Sequence, residues 1–311
     1  MEIKNVTVAG GGVLGSQIAY QSAYKGFDVT VWVRSEASIE RAKPKFERLL
    51  GIYLNTLEAM KTDARAYCRG LAASPDISVE EIDLLKKRAE EAFASITFTT
   101  SFEEAAGDAD LVIEAIAEDP AQKIDFYGKL AEVMPDKTIL VTNSSTLLPS
   151  MFAEATGRPA QYLALHFANE IWRNNTAEVM GHPETSKEGF DKVVTFAQAI
   201  SMIPLELHKE QPGYILNSLL VPFLSAAEEL LATGVADCET IDKTWMLATG
   251  APLGPFRILD IVGLTTAYNI GIMDPRSKDP GTVQGKVAAL LKGYIDEGKT
   301  GVNAGEGFYK Y

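Results

Sequence analysis

Val6-Thr7-Val8-Ala9-Gly10-Gly11-Gly12-Val13-Leu14-Gly15-Ser16-Gln17-Ile18-Ala19 is the stretch on which the fold turns. Asn5–Ala9 is a short apolar run that stops at glycines, and Val13–Tyr24 repeats apolar and small residues at helical spacing until Gly26. Residues 28–33 form a second, valine-rich run, so the opening of the chain reads strand, helix, strand. Gly10, Gly12 and Gly15 make the pattern GxGxxG, placed after a strand and at the start of a helix. In that context the first glycine permits a tight turn, the second lets backbone approach a pyrophosphate, and the third lets the helix pack closely. The first helical amides, at Val13 and Leu14, would then face the phosphates. The motif predicts a dinucleotide site.

The end of the second strand selects between dinucleotides. An acidic residue about 20 positions beyond the glycines ordinarily binds the ribose hydroxyls of NAD. Here the residues are Val33-Arg34-Ser35. Valine accepts no hydrogen bond, whereas Arg34 and Ser35 can bond a 2′-phosphate. NADP(H) is favoured and NAD(H) stays possible, since Arg34 could instead stack on adenine or face solvent.

Residues 36–95 interrupt the alternation with Lys-, Arg- and Glu-rich helical patterns, for example at 39–50 and 79–93. They predict a helical hairpin inserted after the second strand, with Pro75 in its loop. The alternation then resumes: strands are expected at 111–116, 138–142, Tyr162–Phe167, 177–180 and 204–207, and helices at 121–133 and 188–200. Behind Pro212-Gly213 only helices are expected, at Tyr214–Ala232, 238–248, 255–268 and 281–294. The fold class is therefore α/β, a Rossmann-type doubly wound sheet with a helical hairpin insertion, followed by an all-α C-terminal domain. The expected domains are 1–206 for the dinucleotide and 207–311 for substrate and dimerisation.

Composition narrows the partners. The 311 residues carry 42 acidic and 29 basic side chains, a net charge of −13, which disfavours nucleic acid. Cys68 and Cys238 form no CxxC pair, so free thiols in a reducing compartment and no metal site are expected. The start, MEIKNVTVAGGG, lacks the pattern of a secretory leader, and no apolar run is long enough to span a bilayer. A cytoplasmic location without membrane association is the expectation.

Further motifs carry a resemblance. His166-Phe167-Ala168-Asn169 followed by Glu178, twelve residues after the histidine, resembles the L-3-hydroxyacyl-CoA dehydrogenase family, whose stretch reads His-Phe-Phe-Asn-Pro with a glutamate at the same spacing. Leu111-Val112-Ile113-Glu114-Ala115 leading to Glu118 and Lys123, Thr142-Asn143-Ser144-Ser145-Thr146-Leu147, and Pro212-Gly213-Tyr214-Ile215-Leu216-Asn217 are similar to family segments too. So are Leu253-Gly254-Pro255-Phe256, Asp260 with Gly263-Leu264, and Gly305-Glu306-Gly307-Phe308-Tyr309. The resemblance runs from Val6 to Tyr311 and is weakest over the hairpin. It implies that His166 exchanges the hydroxyl proton while hydride moves to or from the cofactor, a task suited to a side chain that titrates near neutrality. It implies that Glu178 holds the imidazole and favours its protonated form. Ser145 and Asn217 would bind the substrate oxygen or orient the histidine, and Glu118, Lys123 and Asn143 would lie on the cofactor side.

Each residue also has a plainer reading: Glu178 as a buried pair partner, Ser145 as a helix cap, Asn217 as a backbone anchor, Glu118 and Lys123 as an ordinary ion pair. His182 and His208 match nothing and are read as structural. The family's second phenylalanine is Ala168 here and its proline is Glu170, and Ile171-Trp172-Arg173-Asn174-Asn175 replaces a small apolar run. Lying between the two catalytic candidates, this segment is expected to border an altered acyl pocket. Lys43, Lys45, Arg48, Lys61, Arg65 and Arg69 of the hairpin are candidates for the phosphates of coenzyme A. The leading expectation is oxidation of a short L-3-hydroxyacyl-CoA or its reverse. The alternatives are a dehydrogenase of a free hydroxy acid, gulonate- or carnitine-like, and a non-catalytic dinucleotide-binding protein. Apolar helices such as the one at 216–231 are expected to be covered by a second copy in a homodimer.

Overall fold

The computed structural model describes residues 3–311; Met1 and Glu2, which open the stretch examined for a leader, lie outside the described residues. The chain forms two compact units, 1–215 and 216–311. The loop after the last strand, through Ile215, groups with the sheet.

The first unit runs β1 (Asn5–Ala9), α1 (Val13–Tyr24), β2 (Asp28–Trp32), α2 (Glu36–Met60), α3 (Val79–Ser95), β3 (Thr97–Thr99), α4 (Phe102–Ala106), β4 (Leu111–Glu114), α5 (Pro120–Ala131), β5 (Ile139–Thr142), β6 (Tyr162–Phe167), β7 (Thr176–Met180), α6 (Lys187–Ala199) and β8 (Ile203–Leu207). The sheet order is β3-β2-β1-β4-β5-β6-β7-β8. Successive strands are added first on one side of β1 and then on the other, so the sheet is doubly wound and its switch point lies between β1 and β4. The strands from β3 to β6 are parallel neighbours, but β6 and β7 are antiparallel, and β8 follows β7 in parallel. Central strands are buried along their whole length and mostly apolar, with the polar residues Glu114, Thr142 and His166 at or next to their C-terminal ends.

The hairpin is an integral part of the core. Phe46, Leu49, Tyr53 and Leu57 of α2 and Ile82 and Ala89 of α3 are buried in the same cluster as Ile18 and Tyr20 of α1. A capping box, Ser78 with Glu81, starts α3 after the loop that contains Pro75. Two elements were not expected: β3 and α4. Three residues are too few to show a strand period, and β3 forms because Thr97, Phe98 and Thr99 find register partners in Thr30, Val31 and Trp32.

The second unit contains most of α7 (Tyr214–Ala232), then α8 (Cys238–Thr249), α9 (Pro255–Val262), α10 (Leu264–Gly271) and α11 (Val283–Asp296). The helix expected at 255–268 is two. Gly263, at φ 91°, ends one and starts the next, and the amide of Leu264 turns to the Thr300 carbonyl at 3.1 Å. Asp260 accepts hydrogen bonds from the amides of Phe308 and Tyr309 and from the Tyr311 hydroxyl. Asp242 accepts from the first amides of α9 and from the Tyr309 hydroxyl. The tail motif Gly305-Glu306-Gly307-Phe308-Tyr309 is thus a fastening for α9.

α7 corrects one expectation: it is long and apolar enough, by length and composition, to cross a membrane. The helix carries two acidic residues, Glu228 and Glu229, near its end. Glu228 is only 7% exposed, and its Oε1 has no hydrogen-bond partner among the described residues. Burial, helped by the Glu229 carboxylate, pushes its carboxyl from the ordinary 4.5 up to about 7. Below the lower value both states are protonated and nothing is lost. Between the two values folding must neutralise an ionised carboxyl, and above the upper one the cost is constant, about 3 kcal/mol. Glu228→Gln should therefore be more stable than the parent at pH 8 and gain much less at pH 5, measured by urea unfolding at both pH values. A gain independent of pH would contradict this account.

Candidate active site

His166 and Glu178 meet because β6 and β7 form an antiparallel pair in which they are register partners. Cross-strand partners share a face, so twelve residues of separation become direct contact. His166 Nδ1 and Glu178 Oε2 are 3.0 Å apart, and Glu178 Oε1 accepts from the Ile215 amide at 2.8 Å. Both carboxylate oxygens are therefore engaged. With Nδ1–H donating to Glu178, Nε2 carries the lone pair, and it faces the Ser145 hydroxyl at 3.2 Å. Tyr214 stacks on the imidazole, centroids 4.4 Å apart and planes 11° from parallel.

Ser145 sits in a turn organised by one carboxylate. Glu118 Oε1 accepts from the Ser144 hydroxyl, the amides of Ser145 and Thr146, and the Thr146 hydroxyl. Burial pushes the Glu118 carboxyl up, but the Ser144 hydroxyl, the Lys123 ammonium and those amides outweigh it and hold the group below the ordinary range. Asn143 Oδ1 accepts from the Phe167 amide at 3.0 Å and so pins the end of β6 beside the histidine.

A cavity of about 460 Å³ opens at the switch point, lined by Gly10, Gly11, Gly12, Trp32, Val33, Arg34, Ser38, Arg41 and Lys45 on one side and by residues 115–117 with Gln122, Asp125 and Phe126 on the other. The glycines suit a pyrophosphate. A side chain at Gly10, φ 126°, would meet the Ala115 carbonyl at 2.3 Å, and one at Gly15 would meet the Gly10 carbonyl at 2.1 Å. At Gly12 nothing lies within 4 Å, so the backbone there is bare to the cavity. Gly12 also N-caps α1 without any side-chain bond, leaving the first helical amides available to an anion. These features fit a nicotinamide dinucleotide, which when bound exchanges the hydride.

Two family models cover the chain: residues 5–211 match the NAD-binding domain of 3-hydroxyacyl-CoA dehydrogenase and residues 213–311 match its C-terminal domain. The chain belongs to the 3-hydroxyacyl-CoA dehydrogenase family. It is 31% identical to a probable 3-hydroxybutyryl-CoA dehydrogenase of Deinococcus radiodurans, covering 98% of this chain and 99% of the relative. It is 32% identical to the mitochondrial hydroxyacyl-coenzyme A dehydrogenase of Homo sapiens, covering 99% and 91%. Among solved structures it is similar to one described as a diketoreductase with dual catalysis of dicarbonyl compounds, at 50% identity, TM-score 0.85 and full coverage of both chains. FadB2 of M. tuberculosis follows at 28% identity, TM-score 0.79 and full coverage of both.

Within this 3-hydroxyacyl-CoA dehydrogenase fold, the Ser145 hydroxyl, the His166 imidazole and the Glu178 carboxylate follow one another in hydrogen-bond contact. Asn217 lies in the second unit. Gly10, Gly12 and Arg34 line the cavity; Val13 is exposed beside it and Leu14 half-buried. Ser35 does not line it. It N-caps α2 and its hydroxyl pairs with that of Ser38 at 2.9 Å, so Ser38, one turn on, takes the place foreseen for Ser35. Lys123, expected on the cofactor side, does not line the cavity either. Its side chain is 1% exposed, with Nζ 2.6 Å from Glu114 Oε1 and 3.5 Å from Glu118 Oε2, so it acts within the protein. Asn143 likewise spends its carbonyl on β6.

Several basic residues assigned to coenzyme A are otherwise engaged. Lys45 lines the dinucleotide cavity and donates to the Gly11 carbonyl at 3.0 Å; Lys43, Lys61 and Arg65 pair with Glu40, Asp83 and Asp63. Arg48 and Arg69 are exposed. Trp172 does not border an acyl pocket: it is buried in the core, 5.8 Å from the Tyr53 ring, and Ile171 is fully buried. The tryptophan is there to pack the hairpin against the loop after β6, where the Gly70 amide bonds its carbonyl. His182 is held by the Pro159 carbonyl, while His208 is exposed. Ser38, Arg41 and Tyr214 were missed. The first two were legible as the i, i+3 face of the helix directly after Arg34; nothing in the spacing announced the stacking of Tyr214.

Proposed function

We propose that the chain transfers hydride between NAD(P) and the C3 hydroxyl or keto carbon of a short L-3-hydroxyacyl-CoA, with His166 as proton acceptor in oxidation and donor in reduction. The observation that carries this is the line Ser145–His166–Glu178. Nε2 takes the hydroxyl proton, Glu178 stabilises the imidazolium, and Ser145 positions the reacting oxygen. A second reading, a free dicarbonyl compound or hydroxy acid, is favoured by the 50% identity to the diketoreductase and by the engagement of Lys43, Lys61 and Arg65 with carboxylates of the hairpin. The deciding assay follows NAD(P)H oxidation with 3-oxobutyryl-CoA and with the corresponding free keto acids and diketo esters. Turnover of the free compounds alone would retire the CoA reading, and no turnover of either class would retire both.

The domain binds NAD, and we read NADP(H) as its preferred form. Support comes from Arg34, Ser38, Arg41 and Lys45 on one wall of the cavity with no carboxylate at Val33. Arg41 donates to the Ser38 hydroxyl at 2.7 Å, so the pair is already organised. NADPH should bind roughly 10- to 100-fold tighter than NADH, and Arg34→Ala with Arg41→Ala should abolish the difference. Equal affinities in the parent would end this reading.

A homodimer through the helical unit is proposed from its uncovered side chains, among them Leu219 at 68% and Leu247 at 76% exposed. Protein cover suits α7 better than lipid because the helix carries two carboxyl groups, the buried Glu228 and the half-buried Glu229. Sedimentation at the monomer mass would remove the proposal.

A further inference from the structure

Tyr214 touches His166 directly and adjoins the groups that hold the other two members of the line. Its ring lies flat on the His166 imidazole. Its hydroxyl donates to the Ser144 carbonyl at 2.8 Å, on the turn that presents Ser145. The next amide along, Ile215, donates to Glu178 at 2.8 Å. The side chain is 1% exposed, and burial pushes the hydroxyl well above its ordinary range, so it stays a donor. The backbone holds this arrangement in an unusual conformation. Gly213 has φ 78° and Tyr214 itself has φ 54°, a left-handed geometry sparsely populated by aromatic residues. Such strain persists where the surroundings over-determine it. Here the Tyr214 amide also bonds the Gln211 carbonyl at 3.0 Å, so the residue is fixed at backbone, ring and hydroxyl together.

We propose that Tyr214 is a positioning residue for the reaction: its ring sets the plane of the His166 imidazole, and its hydroxyl sets the turn that aims Ser145 at Nε2. The inference rests on the proposed role of the Ser145–His166–Glu178 line. Rotation of the imidazole about its Cβ–Cγ bond would carry Nδ1 away from Glu178 and turn Nε2 off the Ser145 hydroxyl. The flat contact with the phenol ring blocks that rotation. Loss of the hydroxyl frees the 144–145 peptide on the side away from Glu118.

The test is a double-substitution cycle with the full chain, on whichever substrate the parent turns over. Tyr214→Phe keeps the ring and removes the hydroxyl; kcat should fall roughly 5- to 50-fold with KM little changed. In a Ser145→Ala background the same substitution should cost almost nothing further, because its effect travels through Ser145. Parental kcat in Tyr214→Phe, or losses that simply multiply, would overturn the proposal. A second readout needs no turnover. The His166 Cε1 proton should resonate upfield, under the ring current of Tyr214, in the parent and in Tyr214→Phe, and return to its ordinary position in Tyr214→Leu. A resonance that ignores the loss of the ring would also overturn it, and the cycle decides alone if Tyr214→Leu fails to fold. A parent inactive on every substrate would sink the reading of the reaction, and the imidazole resonance would still report on Tyr214.

Discussion

His166→Gln should fold like the parent and lose roughly 10²- to 10⁴-fold in turnover. The amide can keep a hydrogen bond toward Glu178 and another toward Ser145, so the geometry of the buried pair is largely conserved. What it cannot do is accept a proton and hold it while the carbinol carbon changes oxidation state. The loss should appear in kcat, with cofactor affinity and melting temperature close to the parent, because the cavity at the switch point does not include residue 166. Turnover within a few-fold of the parent would remove the imidazole from the chemistry and, with it, the reading of the whole line.

Lys123→Met should destabilise the fold by about 3–5 kcal/mol, the usual consequence of removing one partner of a buried ion pair. Glu114 is fully buried at the end of β4 and accepts from Lys123 Nζ, the Tyr127 hydroxyl, the Thr142 hydroxyl and the Ile116 amide. Three neutral donors remain after the substitution, but the charge they surround has lost its counter-ion in a region with little water to replace it. Glu114→Gln together with Lys123→Met should recover most of the loss, since the residual cost is the charge and not the cavity. Chemical unfolding of the three variants measures this. A single variant as stable as the parent would overturn this account. The same lysine lies 3.5 Å from Glu118, so the single variant should also loosen the turn that carries Ser145.

Much of this architecture could be read before any coordinates. Gly10 and Gly15 are confined by backbone geometry, since a side chain at either would meet a carbonyl, whereas Gly12 leaves the backbone bare to the cavity. The strands of the doubly wound half announce themselves because both their faces are buried. Val33-Arg34-Ser35 marked the region that selects the dinucleotide, although the hydroxyl that lines it belongs to Ser38 and Ser35 serves as a cap. The division of the long helix at Gly263 was hidden because its cause, the Thr300 carbonyl, lies far along the chain. Trp172 misled for the same reason: position between two catalytic residues said nothing about the Tyr53 ring waiting in the hairpin.

Local patterning was thus enough to specify the layered α/β unit and the dinucleotide loop, because each depends on periodicity or on residue types that few backbone positions tolerate; the imidazole and its carboxylate were singled out by the family resemblance. The reversal of β7 against β6, the stacking of Tyr214, and the burial of Lys123 as the counter-ion of Glu114 had to await the packed chain. Those three depend on which distant segments come together, and a partner far away in sequence leaves no periodic trace in the residues it will touch.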